Sequence, residues 1–222
     1  MKLSEIFEQL TYGELSQLDI GGEDHGELPN KNYKSVVAHI NLGLTSLFKR
    51  FSLKQVTLPI ALVQAQYSYP ITATNLFKIE SVTTDAGFEL SLNNADDKYS
   101  VFTPMTTVLN VHPDIVDGSL ELPDDLKTAG LSVMYRANHD QIVVNSTFDP
   151  YTQEIALPYS HLEALLYYVA SRVNNPIGMV NEFHAGSSYA AKYEQACQQL
   201  EQQNIQVDQF SQPDRISRGG WV

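Results

Sequence analysis

The chain of 222 residues is poor in the residues that mark most known chemistries. It has one cysteine, Cys197, so no disulfide and no cysteine-based zinc site can form within one copy. A lone thiol in helical sequence among Gln and Ala reads as a buried, inert side chain, and the cysteine count suits synthesis in a reducing, cytosolic compartment. Basic residues are scarce: 14 Lys and Arg stand against 26 Asp and Glu, a net charge of −12. That balance argues against gripping nucleic acid through its phosphates. No apolar run approaches the ~20 residues of a membrane span. The opening "MKLSEIFEQL" has Glu5 and Glu8 inside its apolar pattern, which makes it an amphipathic helix and not a signal peptide.

Catalytic and metal signatures are missing too. There is no G-x-S-x-G, no P-loop and no G-x-G-x-x-G, and "GLTSLFKR" is too helical for a phosphate loop. The six histidines, His25, His39, His112, His139, His161 and His184, form no H-x-x-x-H pair. His39 reads as a helix boundary residue, and His161 as a packing or capping residue in a first turn. Asp96-Asp97 and Asp124-Asp125 offer oxygen ligands for a hard cation but lack EF-hand spacing, and solvated loop carboxylates is the better reading. The expectation is a protein that is no enzyme and carries no cofactor or metal.

What is present is a change of period along the chain. Leu3, Ile6, Phe7 and Leu10 recur at helical spacing. After the Gly- and Pro-bearing "DIGGEDHGELPN", a second stripe runs through Tyr33, Val36, Val37, Ile40, Leu44, Leu47, Phe48 and Phe51. Asn30 is its expected N-cap, and Lys49 and Arg50 suit the dipole of its last turn. From about Gln55 the helical period gives way to short β-branched and aromatic runs: "QVTLPI", "LVQAQYSY", "FKIESVTT", "FELSL", "TVLNV", "LSVMYRA" and "EIALP". Gly87 supplies the positive φ of a hairpin in "TTDAGFEL". Repeated prolines favour short edge strands, and the expected form is a small antiparallel sandwich or partial barrel. This span is also the acidic one: between Glu80 and Gly130, ten Asp and Glu face two Lys. Its aromatics, Tyr67, Tyr69, Phe88, Tyr99 and Phe102, would fill a core or, less simply, form a stacking face for sugars or bases.

Helix returns in "LPYSHLEALLYYVASRVNNP", with Leu162, Leu165, Leu166, Val169 and Val173 on one stripe and a stop at Pro176. A further helix, about 179–204, carries Phe183, Tyr189, Tyr193, Cys197 and Leu200. The expected class is therefore α+β: a helical bundle framework interrupted by a mostly antiparallel β-insert and closed by an extended C-terminal tail. Residues 1–53 and 157–206 would supply the bundle, 54–156 the insert and 207–222 the tail.

That tail, ending "PDRISRGGWV", has no period of its own yet holds the only tryptophan. Chain ends commonly fray. Phe210, Ile216, Trp221 and Val222, however, are apolar groups with nothing local to bury them. Arg215 and Arg218 are donors that pair with a partner's carboxylates, and Gly219-Gly220 permits close backbone approach. Overhang and docking peptide are both open on this chemistry.

Three segments together resemble the head-to-tail adaptor, or connector, proteins of tailed bacteriophages. They are "MKLSEIFEQLTYGELSQL" followed by a loop and "NYKSVVAHINLGLTSLFKRF"; "IALPYSHLEALLYYVASRVNNP"; and the closing "YEQACQQL" helix with its Arg-, Gly- and Trp-bearing tail. The resemblance spans most of the chain, and the insert matches it only in being β. It implies a non-enzymatic virion protein at the neck, assembled in the host cytoplasm. Twelve copies would form a homo-oligomeric ring under the portal, the other side receiving the tail tube or nozzle. Genomic DNA would pass through without specific binding, and no membrane would be involved. In that picture Phe210, Arg215, Ile216, Arg218, Gly219, Gly220, Trp221 and Val222 dock on the portal protein. Two rival readings are a carbohydrate-binding or hydrolytic β module of a phage tail and another neck or tail-completion ring protein.

Overall fold

A computed structural model describes residues 1–15, 28–105, 107–119, 122–173 and 180–203, with backbone only at 125 and 180–185. The chain is α+β and divides into two units: residues 1–47, 51–53 and 141 onward form one, and residues 48–50 and 54–140 the other.

The first unit is built from helices. α1 (Leu3–Tyr12) buries Leu3, Ile6, Phe7 and Leu10, the residues its helical spacing puts on one face. The backbone N–H of Lys2 donates to Glu5 Oε2 at 3.3 Å and so satisfies a donor left free at the helix start. α2 (Tyr33–Arg50) follows a 3-10 turn at Asn30–Asn32. The helix therefore starts three residues after the expected Asn30 cap, and Asn32, its actual N-cap, makes no side-chain capping bond. Ile40, Leu44 and Leu47 are buried on its inner face; each such side chain contributes about 1.5–3 kcal/mol. α4 (Leu162–Val173) follows a 3-10 turn at Tyr159–His161 and packs against α1 and α5 (Val180–Gln202).

Two details of α2 explain its sequence. A Cβ on Gly43 would lie 2.7 Å from Leu165 Cδ1 and 2.9 Å from Tyr168 Cδ1, so glycine is what lets α4 come this close. Asn41 clasps the backbone of Ile142, donating from Nδ2 to the carbonyl at 2.9 Å and accepting the N–H on Oδ1 at 3.0 Å. That clasp fastens the point where the chain re-enters the helical unit.

The expected strand "EIALP" is not one. Its segment holds the start of the chain: the N–H of Leu3 donates to the Gln153 carbonyl, that of Ser4 to the Pro150 carbonyl and that of Ile155 to the Met1 carbonyl. A single antiparallel bridge, Lys2 with Glu154, is all the β structure there. Its backbone groups are satisfied by a neighbour remote in sequence, which no local pattern encodes.

The second unit holds two antiparallel sheets around one core. β1 (Gln55–Ala61), β7 (Gly130–Ala137), β3 (Leu76–Thr84) and β4 (Glu89–Leu90) lie in that order in the first sheet. β2 (Ser68–Pro70), β6 (Val108–Asn110) and β5 (Phe102–Met105) form the second. In β7 burial alternates strictly, with Leu131, Val133, Tyr135 and Ala137 inside, and cross-strand partners Ile60, Leu58, Val82 and Ile79 share that face. Tyr69 and Leu109 bring the second sheet into the same core. The β3–β4 hairpin turns at Gly87, φ +81°, as its sequence required. Of "LVQAQYSY" only the last two residues enter a strand, and residues 62–67 form a loop. Asp117, at the end of the short helix α3 (Pro113–Asp117), pins that loop by accepting from Ala65 N–H and Tyr67 O–H at 3.0 and 2.9 Å. β5, with Pro104 inside it, gave no recognisable strand pattern.

Candidate interaction surfaces

The candidate docking residues Phe210, Arg215, Ile216, Arg218, Gly219, Gly220, Trp221 and Val222 lie outside the described residues. What is described is the helix that leads to them. α5 is fixed by its buried stripe, Ala196, Cys197 and Leu200. Its tyrosines add directional contacts: Tyr193 shares a 2.8 Å hydrogen bond with Ser46 and meets the Tyr168 ring edge-on at 5.2 Å. Tyr189 donates to the Glu14 carbonyl at 3.3 Å. Lys192 sits over the rings of Tyr167 and Tyr189, 5.4 and 4.8 Å from their centroids. Tyr167 donates to Glu163 at 2.8 Å, and that hydrogen bond, with burial, pushes its hydroxyl up to about 12. Every one of these partners belongs to the helical unit, so α5 is anchored as far as Leu200.

Cys197 is fully buried. His112 caps α3, its Nδ1 accepting the Asp114 N–H at 3.2 Å, while its ring meets Tyr99 at 5.6 Å. His139 is buried with its ring edge against Phe48. His161 is fully buried, edge-on to Phe51 at 4.8 Å; Nδ1 pairs with the Ser160 hydroxyl and Nε2 has no hydrogen-bond partner among the described residues. Burial pushes its pKa below the ordinary value. His39, half-buried, shifts the same way, through burial first and the charge of Arg172 second. His25 and the His184 side chain lie outside the described residues.

Of the paired carboxylates, Asp97 and Asp124 are held by near neighbours in the chain, and the Asp125 side chain lies outside the described residues. Asp97 accepts from the Ser91 hydroxyl and the Tyr99 N–H, which hold its pKa below the usual carboxylate value. Asp124 pairs with Lys127 at 2.7 Å, three residues on. No cluster of three or more His, Cys, Asp or Glu with metal-binding geometry occurs among the described residues.

The aromatics of the β unit do not share one face. Tyr69 is in the core, Tyr67 is tied to Asp117, and Tyr99 lies against His112. Phe88 is in the β3–β4 turn and Phe102 on the outside of β5. The strand that carries Phe102 leaves no periodic trace in the sequence, because it is four residues long and broken by proline.

No protein-family model matches the chain, and no curated protein does. Among solved structures, the neck of an empty GTA particle computed with C6 symmetry aligns over 85% of this chain and 88% of its own. The identity is 11% and the TM-score 0.27.

Proposed function

We propose that this chain is a structural protein of a phage particle, a head-to-tail adaptor that forms a ring between the portal and the tail. One observation carries the reading: the helices on which the adaptor-like segments centre, α1, α4, α5 and α2 as far as Leu47, belong to one unit, with the chain of the β unit inserted between α2 and α4. A docking segment needs a rigid root, and α5 supplies one up to Leu200. Charge fits the task of passing DNA, since an acidic wall repels the phosphate backbone and does not hold it. A weak contact from each tail, repeated around a twelve-copy ring, would add up through avidity. The far side of the ring would receive the tail tube or nozzle.

Native mass spectrometry of the protein with the portal from the same genome tests this. The full chain should give a discrete multi-copy complex, and a chain ending at Asp214 should not. A full-length protein that ignores the portal, or a shortened one that docks equally well, would overturn the reading.

A further inference from the structure

The exposed tyrosines of the helical unit gather round one helix. Tyr12, Tyr151 and Tyr159 are 60%, 54% and 70% exposed, more than any other aromatic side chain among the described residues. Tyr12 closes α1. Tyr159 donates to Glu5 Oε2 of α1 at 3.4 Å. Tyr151 follows Pro150, whose carbonyl accepts the Ser4 N–H. Glu5, Glu8 and Tyr12 share the outer face of α1 by helical spacing, opposite the buried Leu3, Ile6, Phe7 and Leu10. Charge here has one sign: residues 1–15 and 149–163 hold six Asp and Glu, and Lys2 is their only Lys or Arg.

The C-terminal end of α5 lies beside this surface. Residues 174–179 alone join α4 to α5 and the two helices pack along their length, so they run antiparallel. Tyr168 meets Tyr193. Seven residues back from Tyr168 is His161, seven on from Tyr193 is Leu200, and the Tyr159–His161 turn packs against α5. The chain therefore leaves α5 next to Tyr159. Beyond it, residues 207–222 carry Arg215 and Arg218 with Phe210, Ile216, Trp221 and Val222. A guanidinium forks onto a carboxylate and stacks on a tyrosine ring, and the surface of α1 offers both groups. The exposed rings also give apolar side chains something to cover.

We propose that the surface formed by Glu5, Glu8, Tyr12 and Tyr159 is the resting seat of the C-terminal segment of the same copy. The arginines are paired there and the apolar groups covered until a stronger partner takes the segment. From residue 203 to Arg215 an extended chain reaches about 40 Å, well over the roughly 15 Å length of α1, so the segment arrives without strain. Release to the portal rests on the adaptor reading; the contact on α1 does not.

Fluorescence anisotropy of a labelled peptide of residues 207–222 tests it, against a chain ending at Gln206 and against the full chain. The shortened chain should bind the peptide, and less tightly as salt is raised. The full chain should bind it at least about tenfold more weakly, because its own segment holds the seat at high effective concentration. In the shortened chain, Glu8→Lys and Tyr159→Ser should each weaken binding about tenfold. Glu89→Lys, the same change of charge on the β unit, should leave it unchanged. All three side chains are exposed, so the parent's far-ultraviolet circular dichroism should persist. A shortened chain that ignores the peptide overturns the proposal, as do Glu8→Lys and Tyr159→Ser chains that bind like their parent. So does a full chain that takes the peptide as readily as the shortened one. Sedimentation velocity at the same concentration identifies the copy: a seat protected only in an oligomer would put the segment on a second copy, against the proposal. Portal capture is read separately by mass spectrometry, so failure of one result leaves the other standing.

Discussion

His161 is the residue whose chemistry most clearly reaches beyond packing. It is fully buried against Phe51 with one ring nitrogen unpartnered among the described residues, and burial lowers its pKa from 6.5. The fold therefore holds the neutral ring, while the unfolded chain takes up a proton more readily. Stability from this residue is complete above pH 6.5 and drains away as pH falls from there toward the folded-state pKa. His161→Leu should flatten the acid limb of the stability–pH profile, measured by urea denaturation at a series of pH values. An unchanged slope would mean that the carboxylates, or His39, set the acid limb. Asn41 and Gly43 give a different lesson. "HINLGL" stands in the sequence as part of a family-like pattern with no stated reason. The structure supplies one: Asn41 clasps Ile142, 101 residues away, and Gly43 admits Leu165 and Tyr168.

At the level of elements, the approach of α4 to Gly43 is a tight constraint in the helical unit. Gly43→Val would force a branched side chain into space already held by Leu165, which is fully buried, and by the Tyr168 ring. Overpacking of this kind costs about 1–3 kcal/mol, and the midpoint of chemical unfolding should fall accordingly. Gly43→Ala should be milder, since the helix propensity gained, up to about 1 kcal/mol, offsets part of the clash. Long elements with a clean period were legible in sequence: α1, α2, α4, α5, β1, β3, β7 and the Gly87 hairpin. Of the short ones, β4 and β6 fall within the expected runs "FELSL" and "TVLNV", but β5 and α3 were not legible. β5 is hidden by its proline, and α3 is only five residues long. "EIALP" has a strand's composition, but its backbone is engaged by the start of the chain.

For the whole molecule, the division into two units carries a prediction. Every buried residue of the β core, from Tyr69 to Ala137, lies within residues 54–140. Those residues, expressed alone, should fold and keep a β-type circular dichroism spectrum. They should melt below the same span extended to begin at Phe48, because Phe48 packs on His139 and Arg136 donates to the Lys49 carbonyl at 3.2 Å. A disordered 54–140 chain would mean that the unit depends on the helices for its fold.

The sequence by itself determined the α+β class, the helical beginning and end, the β-rich middle and the uneven charge. Each is carried by composition or by a period that repeats within one element. Tertiary structure alone decided that Asn41 holds Ile142, that the chain start straps residues 150–155, and that an uncharged face gathers Pro70, Phe102, Met105 and Val108. These depend on contacts between residues far apart in the chain, and local propensity contains no term for a partner it cannot see.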